Sequence, residues 1–203
     1  MKTDFVKTLD RYRAQAGTFR IIEVPPQRYL MIDGQGDPNT SAAYADAVAT
    51  LYPVAYALKF ASKDGLDRDY VVPPLEALWW AESMAAFTSS RDKSAWDWTV
   101  MILVPDWITD DLVDAARATA AARKAPALDL LRVEELDEGT CVQTLHLGPY
   151  DDEAATLERM HDTFIPESGL RMTGKHHEVY LSDARRVAPE KLRTLLRQPV
   201  LRG

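Results

Sequence analysis

The sequence predicts an α+β protein of two pseudo-symmetric β-α-β-β repeats, forming a concave sheet cleft with helices on the outer face. Three observations carry this expectation. Two segments follow one design: Gln27-Arg28-Tyr29-Leu30-Met31-Ile32-Asp33-Gly34 leads into a helical stretch from Ser41 to Lys63, and Cys141-Val142-Gln143-Thr144-Leu145-His146-Leu147-Gly148 leads into Asp151 to Phe164. Each copy passes from an apolar strand through a glycine turn to apolar residues at three- and four-residue steps. The second copy closes on Lys175-His176-His177-Glu178-Val179-Tyr180-Leu181, where Glu178 is the only acid. A duplicated unit of this kind sets two sheet surfaces side by side, and the cleft between them is the natural place for a ligand.

The elements follow in order. Residues 3 to 16 suit a short helix with Thr3 as N-cap and Phe5, Leu9 and Tyr12 on one side, stopped by Gly17. Phe19 to Val24 is a β-rich run, Pro25-Pro26 turns the chain, and Tyr29 to Asp33 is the next strand. From Ser41 the stripe Tyr44, Ala47, Val48, Leu51, Ala55 and Leu58 predicts a helix that Pro53 kinks or breaks near Leu51 and Tyr52, and that Asp64-Gly65 ends. Leu75 to Trp80 and Trp96 to Leu103 read as strands joined by a polar turn, Thr88 to Ser94.

Thr109 to Lys124 reads as a linking helix with Leu112, Val113 and Ala116 inward. Leu130 to Leu136 and Thr140 to Leu147 form a second strand pair around Asp137-Glu138-Gly139. The next helix opens with Asp151-Asp152-Glu153, acids that its dipole favours, and turns Ala154, Leu157, Met160 and Phe164 inward. The final strand is His176 to Leu181, and a short helix starts at Pro189. These elements form a single domain, with repeat 1 at about 19–104, the linking helix at about 108–125, repeat 2 at about 130–183 and a C-terminal helix at about 188–198.

Composition bounds the function. The 203 residues are 46% hydrophobic and 27% charged, ordinary for a globular chain that buries a sizeable core. There is neither an apolar run long enough to span a membrane nor a secretory leader at Met1-Lys2-Thr3-Asp4-Phe5, so the expected location is the cytoplasm. The single cysteine, Cys141, alternates on an apolar strand and reads as a buried, inert thiol. A net charge of −7 argues against a nucleic-acid partner. The one basic cluster, Arg185, Arg186, Arg193, Arg197 and Arg202, reads as the solvated side of the last helix.

Strand alternation sorts the candidate site residues. His176, Glu178 and Tyr180 share one face of the last strand. Val179 and Leu181 share the other, suited to packing under a helix, which leaves Glu178 and Tyr180 toward the groove. In the first repeat Glu76, Leu78 and Trp80 share one face, and Trp80 is taken for the groove rather than Trp79. A carboxylate among aromatic walls attracts a lipophilic cation or acts as a general base toward water.

Six segments resemble a known family over most of the chain. They are Phe19 to Pro25, Tyr29 to Asn39, Val72-Pro73-Pro74-Leu75-Glu76-Ala77-Leu78-Trp79-Trp80, His146-Leu147-Gly148-Pro149-Tyr150-Asp151-Asp152-Glu153, Gly174 to Asp183, and Ala188 to Val200. Together they look like stand-alone GyrI-like small-molecule-binding proteins. The resemblance implies kinship with the effector-binding domains of multidrug-responsive transcription activators, where a cleft glutamate meets cationic aromatic drugs; by motif that glutamate is Glu178. Some members of the family hydrolyse cyclopropanoid DNA-alkylating compounds and so detoxify them. For this chain the resemblance implies Glu178 as the base for water, Tyr150 as hydroxyl donor to the developing phenolate, and Trp80, Trp96 and Trp98, with Tyr180 and His176, as walls for a flat hydrophobic or cationic polycycle. Ala77 departs from the pattern, standing where the family has glycine, and alternation puts its methyl opposite Trp80.

Other chemistries fall away. His176 and His177 point apart on a strand and lack spaced partners, so no metal is expected, and no cofactor is implied. Gly34-Gln35-Gly36 runs into Asp37-Pro38 and cannot open a phosphate-binding helix. The stretch before the first strand is too short for a helix-turn-helix module. Three readings stay open: a hydrolase, a non-catalytic drug-sequestering protein, and an inhibitor that binds a partner protein. Two of the four tryptophans 79, 80, 96 and 98 belong in the core. Oligomeric state is not legible.

Overall fold

The structure is a computed structural model and describes residues 2–81 and 93–203. Nine strands occur among the described residues: β1 (Arg20–Val24), β2 (Gln27–Gln35), β3 (Glu76–Trp80), β4 (Asp97–Leu103), β5 (Arg132–Leu136), β6 (Gly139–Leu147), β7 (Leu170–Met172), β8 (His176–Tyr180) and β9 (Arg193–Arg202). The helices are α1 (Phe5–Thr8), α2 (Ala42–Leu66), α3 (Asp110–Ala122), α4 (Ala154–Glu158) and α5 (Ile165–Glu167), so the fold is α+β as expected. The polar turn anticipated from Thr88 lies outside the described residues as far as residue 92. At the N-terminus only α1 and a 3-10 turn, Asp10–Tyr12, replace the longer helix expected over residues 3 to 16.

The chain divides into two compact units, each assembled from separated stretches. The first holds Met1–Thr8, Gln27–Pro74 and Trp80–Leu136; the second holds Leu9–Pro26, Leu75–Trp79 and Asp137–Gly203. β1 and most of β3 thus join the later half of the chain, and β5 joins the earlier half.

In the first unit β2 pairs antiparallel with β4 on one side and with β5 on the other. β5 therefore does not form the expected pair with the strand that follows Gly139. Ser41 caps α2, its hydroxyl accepting from the Tyr44 amide, and Asp67 ends the helix in the left-handed region at φ 54°. The helix runs unbroken through Pro53, contrary to expectation. The hydrogen bond lost at proline is local, whereas Ala47, Leu51, Val54, Ala55 and Leu58 are buried along the whole length. Thr109 caps α3, which buries Val113, Ala116 and Ala120. Gly34 lies directly opposite Trp98, and a Cβ there would come within 2.2 Å of the indole. The missing side chain lets the ring lie on the strand, and Trp98 is fully buried.

The sheet of the second unit has the order β1-β6-β9-β8-β3, with β7 also pairing with β9, and its ladders are antiparallel. Here the sequence reading needs its largest correction. The helix expected at about 188–198 is one 3-10 turn, Pro189–Lys191, followed by the ten-residue β9. Thr194 through Val200 are all buried, because β9 is flanked by β6 and β8. A strand buried on both faces has no alternation to read, and its leucines at 192, 195 and 196 imitate helical spacing.

Arg197 consequently lies in the interior with no exposed surface, not on a solvated helix. Its Nη1 donates to Glu138 Oε2 (2.8 Å), its Nε to Gln143 Oε1 (3.3 Å) and its Nη2 to the Arg11 carbonyl (2.8 Å). Beside it His177, equally buried, lies between two carboxylates: Nδ1 is 2.9 Å from Glu138 Oε1 and Nε2 is 3.0 Å from Glu76 Oε2. Both ring nitrogens face carboxylate oxygens, which favours the doubly protonated ring, although Arg197 Nη1 also lies 3.3 Å from Nδ1. The Tyr12 hydroxyl completes the cluster, donating to Glu76 Oε1 at 2.5 Å. Burial opposes charge on each group, but pairing wins. The His177 and Arg197 cations hold Glu138 down to about 2, His177 with Arg11 and Tyr12 holds Glu76 below its ordinary value, and the two carboxylates hold His177 above 6.5.

Two outcomes follow from this cluster. Arg197→Met leaves Glu138 buried without one of its two cationic partners and should cost about 3–5 kcal/mol in urea unfolding. The pH dependence has two limbs. The raised pKa of His177 gives stability that is complete below 6.5 and lost as pH rises through the folded value, whereas the depressed pKa of Glu138 gives stability present above 4.5 and lost as pH falls toward 2. Urea midpoints from about pH 5 to about pH 9 should therefore decline on the alkaline side, and His177→Gln should flatten that decline.

Candidate functional site

Register decides which side chains of the second unit can act together. Residues opposed in a ladder share a face. Ala77 opposes Glu178, Trp79 opposes His176, and Glu178 opposes Leu196. One face therefore carries Trp79, Ala77, His176, Glu178, Tyr180 and Leu196. Leu196 packs with Val142, Met160, Ile165 and Val200, so the helical segment from α4 through α5 covers part of this same face. Glu76, His177 and Val179 lie on the other.

Two expectations are corrected here. Glu178 is not on the face away from the helix of its repeat; the buried face of Val179 is taken by the ionic cluster instead. Trp79, not Trp80, is the tryptophan on the Glu178 face, because the pairing register, invisible in the sequence, puts it opposite His176. Ala77, buried, lies on the side opposite Trp80 as alternation placed it, and the register brings its methyl beside Glu178.

The Glu178 side chain is 14% exposed and held by neighbours on its own face. The Tyr180 hydroxyl donates to Oε2 at 2.7 Å, and the Trp79 indole N–H donates to that hydroxyl at 3.2 Å. Tyr180 has one proton to give and gives it to Glu178, so it orients the carboxylate. The other oxygen, Oε1, faces His176 Nε2 at 3.6 Å.

Tyr150 arrives from the turn after β6. Gly148 adopts φ 130°, which a side chain would resist, and its amide donates to the Leu192 carbonyl (3.1 Å). His146 Nε2 donates to the Pro149 carbonyl at 3.0 Å, fixing the turn. The Tyr150 ring then meets Tyr180 edge-on, with centroids 5.6 Å apart and planes at 76°. Burial, with Glu153, Glu178 and Asp183 adding negative charge, pushes its phenol up to about 12, so the hydroxyl stays a donor.

The remaining expected residues are elsewhere. Trp80 and Trp96 belong to the first unit and are half-buried. Trp98 belongs to the core of that unit, in edge contact with Tyr44, and has no surface to offer a ligand. Cys141 is buried, and burial with Glu138 nearby pushes its thiol up to about 12. Among the described residues no group of three His, Cys, Asp or Glu is arranged to hold a metal, and no described helix is long and apolar enough to cross a membrane.

One neighbour had no sequence signal. Between α4 and α5 the chain widens into a π-helical turn, Arg159–Phe164, which carries His161 to His176. The two rings are 5.9 Å apart at 79°. Burial and the neighbouring His176 push His161 down to about 4, so it is neutral near pH 7. In the same segment Glu153 is buried where Ala154 was expected inward, and Ala154 is exposed.

This fold, with an aromatic-clamped carboxylate on its second unit, defines a small-molecule-binding class. Residues 17–201 match the model of the GyrI-like small molecule binding domain, and the chain belongs to that family. An uncharacterized conserved protein from Listeria innocua is 38% identical, with a TM-score of 0.88 over 98% of this chain and all of that one. A hydrolase from Listeria innocua is 37% identical, with a TM-score of 0.84 over 98% of this chain and all of its own. The C-terminal domain of EcmrR, 12% identical over 92% of this chain and 98% of that chain, has a TM-score of 0.58 and is similar in fold alone. A search of the curated proteins found no match.

Tyr180→Phe removes the link between Trp79 and Glu178. It should cost about 1–3 kcal/mol in chemical unfolding, since Oε2 and the indole N–H both lose their partner. The Trp79 indole proton should also move upfield in the proton NMR spectrum, a change that a remote packing defect would not produce.

Proposed function

We propose that this GyrI-like protein binds a flat, hydrophobic or cationic polycyclic compound against Glu178 and hydrolyses those that carry a strained cyclopropane ring. The observation that carries this reading is the carboxylate itself: largely dehydrated, oriented by Tyr180 and bordered by the rings of Tyr150, Tyr180 and Trp79. Such a group stabilises a cation that water solvates poorly, or accepts a proton from water held beside it. The related Listeria hydrolase supports the second use. A cytoplasmic, detoxifying role is part of the proposal.

The chemistry needs few groups. Water attacks the ring methylene of a spirocyclopropyl dienone as Glu178 takes its proton. A carbon–oxygen bond forms, the strained carbon–carbon bond breaks, and its electron pair passes into the dienone, whose oxygen becomes a phenolate. Tyr150, protonated at neutral pH, hydrogen-bonds to that oxygen and stabilises the charge.

A sequestering protein would use the same carboxylate and rings without turnover. Glu178→Gln separates the two. For a hydrolase it should slow loss of the dienone ultraviolet band by about 10²–10⁴-fold while a neutral polycycle still binds. If the unmodified protein gives no acceleration over buffer, sequestration is the function. If the variant loses binding of the neutral compound as well, Glu178 is not a base in this site.

A further inference from the structure

We propose that His176 is a positioning residue for Glu178, donating through Nε2 to Oε1 so that the carboxylate is held at both oxygens and stays charged when a ligand covers it. The inference rests on the reading of Glu178 as the ligand-facing group. It begins from an imbalance: Oε2 has a donor in Tyr180, whereas Oε1 has no hydrogen bond from a described residue and faces only His176 Nε2, at 3.6 Å.

His176 is the complementary case. Both of its ring nitrogens are buried, and neither has a hydrogen-bond partner among the described residues. An imidazole in that condition costs free energy that a single donated bond relieves. The polar atom that fits is Oε1, and a side-chain movement of about 0.6 Å brings the 3.6 Å gap to hydrogen-bond length.

Among the described residues no competing partner is in place. On the sheet side Trp79 opposes His176, and its indole proton is already given to Tyr180. On the helix side the π-helical turn brings His161, whose ring meets His176 at 79° and whose own Nε2 is buried without a partner. Being neutral near pH 7, His161 adds no charge but fixes the plane of its neighbour. A π-helical turn is an uncommon device that recurs at functional sites, and here it delivers one side chain to the histidine behind the carboxylate. A ligand lying over Glu178 strips water from the exposed part of the carboxylate, and a donor at each oxygen replaces that solvation.

The test uses two isosteric flat probes, 10-methylacridinium and 9-methylanthracene, titrated into the full-length protein by fluorescence. Unmodified protein should prefer the cation by about tenfold, and His176→Phe should cut that preference to about twofold or less. His176→Gln, which restores an N–H donor, should recover most of the preference. If His176→Phe does not fold, His176→Met is measured instead. An unchanged cation preference in the apolar variant, or parallel loss of both probes, overturns the positioning role and leaves the ligand reading standing. If unmodified protein binds both probes equally, or neither, the reading of Glu178 fails and this inference fails with it.

Discussion

Burying ionisable groups removes solvation that only close pairing can offset, and the second unit is organised around that constraint. Glu76, Glu138, His177 and Arg197 lie within one sheet face, linked at 2.8 to 3.0 Å. They come from β3, the turn before β6, β8 and β9, and the Arg11 carbonyl ties in the N-terminal segment. A shift of register in any of these strands would leave a charge unpaired. The cluster therefore fixes the alignment of β3, β8 and β9, and that alignment sets what stands beside Glu178 on the opposite face.

The two faces of β8 divide the work. His177 and Val179 point into the packed interior, while His176, Glu178 and Tyr180 point to the side shared with the helical segment. Alternation lets one five-residue strand serve both, the rigid face holding the other within fractions of an ångström. A site on a locked strand keeps its geometry better than one on a loop. Tyr150 is the exception, coming from a turn, and its position depends on Gly148 and on the hydrogen bond from His146 to Pro149.

Much of this was legible from residues alone, and the misses have causes. Period-two alternation put His176, Glu178 and Tyr180 together because it needs no partner strand. The stripe of α2 was readable because a helix buried on one side repeats every three or four residues. Trp79 is buried as expected, but its place on the Glu178 face was not legible, because it depends on which strand β3 pairs with. The pairing of Glu76 with His177 joins positions 101 residues apart, and no local pattern signals it. β9 was read as a helix because a strand enclosed on both sides is apolar throughout and Pro189 resembles a helix start. His161 could not be found because the π-helical turn leaves no mark on the apolar stripe of Leu157, Met160 and Phe164.

The placement of β9 also bears on how the protein is made. It lies between β6 and β8, and its arginine grips a carbonyl 186 residues earlier in the chain. β1 pairs with β6 and β3 with β8, but among the described strands β6 and β8 are joined into one sheet only through β9. Closing loops of that length is slow. The first unit, whose residues end at Leu136, is free to fold during synthesis before the second unit has all its strands.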